Sequence, residues 1–292
     1  MKQGLFAAAG AYFIWGLFPI YWKLLEQVPS LQIMTHRIVW CALFVLAWLQ
    51  LREGSGWVRQ ISRRLLAMLV LSSALIGCNW WVYIWSVNHG HIVETSLGYF
   101  INPLVSVLLG VVVLRERLNP RQWLAVAVAA VGVLYLTVHA GHLPWIALTL
   151  AVSFGGYGLV RKLAAVGAVQ GLAVESGLLC LPALALLLTC EWRGTGAFGH
   201  LGLRTDLLLA GAGLVTALPL VMFAYGARRI PLSMVGILQY LAPSLQLVCG
   251  VFLFGEEFSA AQALGFGCIW AALGIYAADG LYRARWVRLP AS

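Results

Sequence analysis

Glu94–Glu116, ETSLGYFINPLVSVLLGVVVLRE, is the stretch whose reading decides the fold. It is apolar for longer than the roughly 20 residues a helix needs to cross a bilayer. Asn102-Pro103 interrupts its middle, and Ser96, Tyr99, Pro103, Ser106 and Gly110 recur at helical spacing. A stripe of small and polar residues on an otherwise lipid-compatible helix faces protein or water, not acyl chains. A second stripe lies 140 positions on: Gly236, Gln239, Pro243, Gln246 and Gly250. The recurrence points to a duplicated unit with a path shared between its halves.

Composition fixes the solvent. The 292 residues are 62% hydrophobic and 10% charged, with mean hydropathy +0.88. A soluble domain carries about 25% charged residues. Ten stretches are long enough to span: Leu5–Tyr21, Ile33–Leu51, Leu66–Val87, Val93–Leu114, Trp123–Val138, Pro144–Val160, Leu172–Cys190, Leu207–Ala227, Leu232–Phe254 and Ala261–Leu281. The expected class is an all-α polytopic membrane protein of ten transmembrane helices with short loops. The first stretch runs into Tyr21-Trp22-Lys23, not a small-x-small cleavage site, so it reads as a span and not a signal peptide.

The net charge of +9 follows the loops. With the N-terminus inside, fifteen of the nineteen lysines and arginines fall in cytoplasmic segments. Only Lys23, Arg37, Arg193 and Arg204 fall outside. Basic residues accumulate on the cytoplasmic side, so the expected topology is N-in/C-in. The membrane accounts for the charge without nucleic acid.

The duplication sets the architecture. AYFIWGLFPIYWKLL recurs about 139 positions later as AVSFGGYGLVRKLA, aligning Gly16 with Gly155 and Lys23 with Lys162. Near 140, Pro103 aligns with Pro243, Gly110 with Gly250, Glu116 with Glu256 and Gln122 with Gln262. The expected domains are a first repeat over 1–139, a second over 142–282 and a basic tail over 283–292. Five spans per repeat is odd, so the second copy enters the membrane inverted, with the substrate site expected near the midplane. Asn119-x-x-Gln122 and Ser259-x-x-Gln262 read as capping boxes, leaving Glu116 and Glu256 as loop and cap residues. His139 and His142 read as a solvated outer loop. The fifth and tenth spans suit peripheral packing or a homodimer contact.

Several chemistries lack their motifs. No G-x-x-x-x-G-K-[ST], G-x-S-x-G or H-E-x-x-H sequence is present. None of the six cysteines forms C-x-x-C or has zinc-ligand spacing. No cofactor, metal or catalytic group is expected. Uphill work would draw on a gradient or another chain.

The candidates for a path wall are Trp15, Asn79, Trp81, Tyr83, Tyr99, Asn102, Ser106, Gln239, Tyr240 and Gln246. The polar members donate and accept without charge, and the aromatic ones could wall an apolar solute. Interhelical glue and interfacial aromatic belts are the competing readings. Pro103 and Pro243 are expected helix breaks, freeing the carbonyls of Tyr99 and Gln239. His36, Arg37, Glu94 and Glu175 are ionisable residues within spans, read as proton or ion-pair sites or as structural polar contacts.

The runs AYFIWG, THRIVW, GCNWWVYIWSVN, ETSLGYFINPLVSVLLG, ERLNPRQW and GLVRK resemble the EamA branch of the drug/metabolite transporter superfamily across nearly the whole chain. That resemblance implies a ten-helix bacterial inner-membrane permease with two EamA repeats. It also implies a central cavity lined by spans one, three, four, six, eight and nine, with five and ten peripheral. Family members export amino acids and other metabolites. The expected function is passage of a small organic solute by alternating access, without ATP hydrolysis and in the direction of export. The expected partners are membrane lipid and the solute. The alternatives are an accessory subunit that transports nothing, or an intramembrane enzyme acting on lipid-linked groups.

Overall fold

The computed structural model describes residues 2–115, 118–140, 143–227, 229 and 238–286. Among them every regular element is helical: α1 (Lys2–Gly16), α2 (Phe18–Lys23), α3 (Ser30–Glu53), a 3₁₀ turn (Gly56–Gln60), α4 (Arg63–Asn88), α5 (Ile92–Leu114) and α6 (Pro120–Ala140). There follow α7 (Trp145–Leu163), α8 (Ala168–Trp192), α9 (Leu203–Ala227), α10 (Leu241–Val248) with a π-helical turn at Cys249–Leu253, and α11 (Ala260–Trp286). Among the described residues seven stretches are long and apolar enough to cross a membrane; three further apolar helices are shorter: Trp145–Arg161, Leu241–Leu253 and Ala260–Ala272. The chain is a multi-pass membrane protein.

Local chemistry sets the helix ends. Ser62 Oγ accepts from Leu65 N and starts α4. Both capping boxes form: Asn119 Oδ1 accepts from Gln122 N while Gln122 Oε1 accepts from Asn119 N, and Ser259 and Gln262 repeat the exchange. Arg115 closes α5 with φ +56, the one non-glycine residue in that region among those described. Glu256 is a cap, but of a distant helix. Its two carboxylate oxygens accept from Ile92 N and Val93 N, each at 2.7 Å, at the start of α5.

One expectation about breaks is corrected. Pro103 does not interrupt its helix: α5 runs through it, as α8 and α9 run through Pro182 and Pro219. Proline removes one backbone hydrogen bond, and surrounding helices hold the rest of the segment in place. The first span does break, at Leu17, between α1 and α2, with Pro19 in the first turn of α2. In the second half a turn at Tyr240 precedes α10, so Pro243 sits in a first turn, where proline costs little. His139 belongs to the last turn of α6 and stacks on Tyr135; His142, Glu116 and the Gly236 end of the second stripe lie outside the described residues.

The helix pairs form a matched set. α1 packs on α9 and α4 on α7; α5 packs on α7 and α10 on α1; α3 packs on α9 and α4 on α8. The remaining principal pairs are α3–α8, α5–α10 and α6–α11. Exchanging each helix for the one about 140 residues away returns the same set. The match extends to single residues. A Cβ built on Gly16 would lie 2.6 Å from Leu245 Cβ and 3.2 Å from the Ala242 carbonyl oxygen. One built on Gly155 would lie 2.8 Å from Val105 Cγ1 and 3.5 Å from Asn102 Oδ1. Ala242 and Leu245 stand 140 positions after Asn102 and Val105, so the two glycines let equivalent helices approach.

Candidate functional site

Between the halves lies a cavity of about 620 Å³. That is within the ~300–1,000 Å³ typical of small-molecule sites. α1 supplies Tyr12 and Trp15, α2 Phe18, α3 Arg37, α4 Asn79, Trp80 and Tyr83, and α5 Tyr99 and Asn102. The second half supplies Phe154, Tyr157 and Arg161 from α7, Phe223 from α9, and Gln239, Pro243 and Gln246 at α10. One end abuts a buried cluster containing Phe18, Trp22, Leu25, Ile33, Tyr83 and Ile92. The other reaches Val166 in the loop between α7 and α8.

The polar groups hold the wall together as well as lining it. Asn79 Nδ2 donates to the Leu150 carbonyl and to Ser153 Oγ, both at 3.0 Å, and its Oδ1 accepts from Tyr99 OH at 3.2 Å. This one side chain ties α4 to α7 and α5. Gln246 Nε2 donates to the Trp15 carbonyl at 3.2 Å, beside the break between α1 and α2. Ser96 Oγ donates to the Pro243 carbonyl at 2.7 Å, joining α5 to α10. Gln246 Oε1 and Asn102 Oδ1 are buried with no hydrogen bond. The aromatic walls form edge contacts: Tyr83 on Tyr99 at 5.6 Å, Tyr99 on Phe154 at 6.1 Å and Trp15 on Tyr12 at 5.3 Å.

Two arginines mark the cavity's ends. Arg37, two turns into α3, is 3% exposed and ringed by Trp80, Trp22 and Phe18, whose ring centroids lie 4.3, 5.2 and 5.6 Å from its guanidinium carbon. Its Nε donates to Thr216 Oγ1 on α9 at 2.7 Å. At the other end Arg161 Nε lies 3.6 Å from Glu175 Oε1. Glu175, buried on α8, also accepts from Ser72 Oγ at 2.6 Å and Tyr157 OH at 3.2 Å. The carboxylate therefore joins α4, α7 and α8.

Of the path-wall candidates, Trp15, Asn79, Tyr83, Tyr99, Asn102, Gln239 and Gln246 meet at the cavity, as does Pro243. Trp81 is 43% exposed on the outside of the bundle, because it follows Trp80 and points about 100° further round α4. Tyr240 turns to Phe100, at 6.5 Å, and Pro103 is not in the lining. The side chain of Ser106 is outside the described residues. His36 stacks on Phe198 at 5.3 Å, away from the cavity, and Glu94 sits in the first turn of α5.

Sequence reasoning placed Arg161 in a cytoplasmic loop and overlooked Tyr157 and Phe154. The signal for Arg161 lies in the sequence: it falls in the last turn of one helix, and Glu175 stands two turns into the next, across a short loop. No comparable signal marked the phenylalanines, since cavity, core and lipid faces all accept them.

Comparisons with known proteins agree with this architecture. The model of the EamA-like transporter family matches residues 2–138 and again 144–277. Protein RarD of Streptomyces exfoliatus is 47% identical over 97% of this chain and 91% of its own length. An uncharacterized transporter of Bacillus subtilis, YojE, is 47% identical over 94% of this chain and 93% of its own. Protein RarD of Escherichia coli is 41% identical over 97% of each. A chain of known crystal structure, 19% identical, shares the fold with a TM-score of 0.62, covering 99% of this chain and 100% of that one. Matched twice by one family model and alike to these relatives over nearly its full length, the chain belongs to the EamA-like transporter family.

Proposed function

We propose that this protein is a ten-span inner-membrane permease, N-in/C-in, built from two inverted repeats over 1–139 and 142–282. It moves a small organic solute through the central cavity by alternating access, outward from the cell, without ATP hydrolysis. One observation carries the reading: both halves of the chain contribute equivalent helices to a single aromatic-walled cavity deep in the bundle. The matched helix pairs and the Gly16 and Gly155 contacts support inverted repeats. Two such halves that exchange conformations convert an outward opening into an inward one. The fifteen-to-four distribution of basic residues supports the orientation. Tyr99, Asn102, Gln239 and Gln246 are the proposed solute contacts, with Trp15 and Tyr83 as aromatic wall.

The test is flux in liposomes. Solutes that differ between cells with and without the protein are loaded into proteoliposomes and followed across the membrane. Asn102→Leu and Tyr99→Ala should change the kinetics of that flux while the protein remains folded. Unchanged kinetics in both variants would remove the site assignment. Chemical conversion of the solute would replace transport by catalysis.

A further inference from the structure

Among the described residues Arg37 presents a charge with no counter-charge. No aspartate or glutamate lies within ion-pair distance of it among the described residues. Its Nε is satisfied by Thr216, yet Nη1 is buried with no hydrogen bond. The guanidinium stays charged in proteins. An isolated buried charge is among the costliest groups a fold can carry, and the cost rises inside a membrane. Aromatic faces cover the planes of the guanidinium, which leaves its nitrogen edge for a ligand.

The surroundings also have a surplus of donors. Tyr83, which lines the same cavity as Arg37, has its hydroxyl buried without a partner. So does the indole Nε1–H of Trp22, whose ring is part of the cage. An unused nitrogen of the cation and two further unused donors in the same buried region call for an acceptor that carries negative charge. We propose that the free edge of Arg37, with the Tyr83 hydroxyl of the same cavity wall, binds the carboxylate of a monoanionic solute that occupies the cavity. This rests on reading the cavity as the solute site. A single unpaired positive charge matches one negative charge. A phosphate dianion would need a second free cation, and Arg161, the other arginine in the lining, already faces Glu175. Trp80 and Phe18, on the guanidinium faces and in the cavity lining, supply an apolar wall for the solute's body.

Equilibrium binding tests this separately from transport. The purified full chain in lipid nanodiscs is titrated with phenylacetate and its neutral isostere phenylacetamide, following tryptophan fluorescence. Trp22 and Trp80 lie against the guanidinium and are two of the thirteen tryptophans that report occupancy. Phenylacetate should bind at least tenfold more tightly than phenylacetamide. Arg37→Gln should abolish that preference, Arg37→Lys should keep part of it, and Tyr83→Phe should weaken the acid several-fold and the amide less. Should Arg37→Gln fail to fold, the acid-against-amide comparison in the unaltered protein and in Tyr83→Phe decides. Equal affinity for acid and amide, no saturable binding of the acid, a preference that survives Arg37→Gln, or an equal response to chloride would each overturn the proposal. Acid binding without flux in liposomes would remove the transport reading and leave the anion site standing. Flux of a neutral solute without acid preference would do the reverse.

Discussion

Replacing Gly155 by alanine tests the close approach of α7 to α5. The added Cβ would meet Val105 Cγ1 at 2.8 Å, with its next neighbours, Asn102 Oδ1 and Leu109 Cδ1, both at 3.5 Å. Ordinary contact begins near 3.4 Å, so one methyl must yield by several tenths of an ångström. Valine in a helix holds essentially one rotamer, so it cannot swing away, and the helices must separate instead. Overpacking of this kind costs about 1–3 kcal/mol. Val105→Ala alone loses two partly buried methyl groups, about 1 kcal/mol. The double variant removes the clash, so its destabilisation should fall below the sum of the singles by roughly 1 kcal/mol or more. The contrast is Gly16→Ala, whose closest obstacle is the Cβ of Leu245 itself; Leu245→Ala leaves that atom in place and should not rescue it. Reversible unfolding in mixed detergent micelles, read by tryptophan fluorescence, measures all six variants, the two double variants included. Strict additivity at Gly155 and Val105, or rescue of Gly16→Ala by Leu245→Ala, would refute the residue-level packing.

Four further outcomes follow from the contacts of single side chains. Glu256→Ala removes both acceptors from the start of α5 and should destabilise by about 2 kcal/mol, with Glu256→Gln milder, in the same unfolding assay. Asn79→Leu breaks the bonds that join α4 to α7 and α5 and should cost about 2–3 kcal/mol. Tyr99→Phe, which loses a single 3.2 Å bond, should cost about 1 kcal/mol or less. Glu175→Leu takes the acceptor from Ser72 and Tyr157 and the counter-charge from Arg161. Breaking a buried pair from one side costs about 3–5 kcal/mol, whereas Glu175→Gln, which keeps the acceptor, should cost less. Equal unfolding midpoints for the two Glu175 variants would show that the carboxylate's bonds contribute nothing.

The sequence alone determined the solvent of this protein, its helical class and its internal duplication. Lipid tolerates no unpaired backbone, so long apolar runs become helices whatever surrounds them. Local capping was equally legible, because Asn119-x-x-Gln122 and Ser259-x-x-Gln262 satisfy their own backbone within one turn. Tertiary structure decided which polar residues share a cavity. Trp80 and Trp81 are neighbours in the chain, yet one cages Arg37 and the other leaves the bundle, since successive helical residues point about 100° apart. It also decided that Pro103 leaves α5 continuous, that Glu256 caps a helix more than 160 residues away, and that Arg161 faces Glu175 while Arg37 faces no carboxylate among the described residues. These outcomes depend on contacts between distant segments, and a linear pattern of apolar and polar residues does not encode which helix each face will meet.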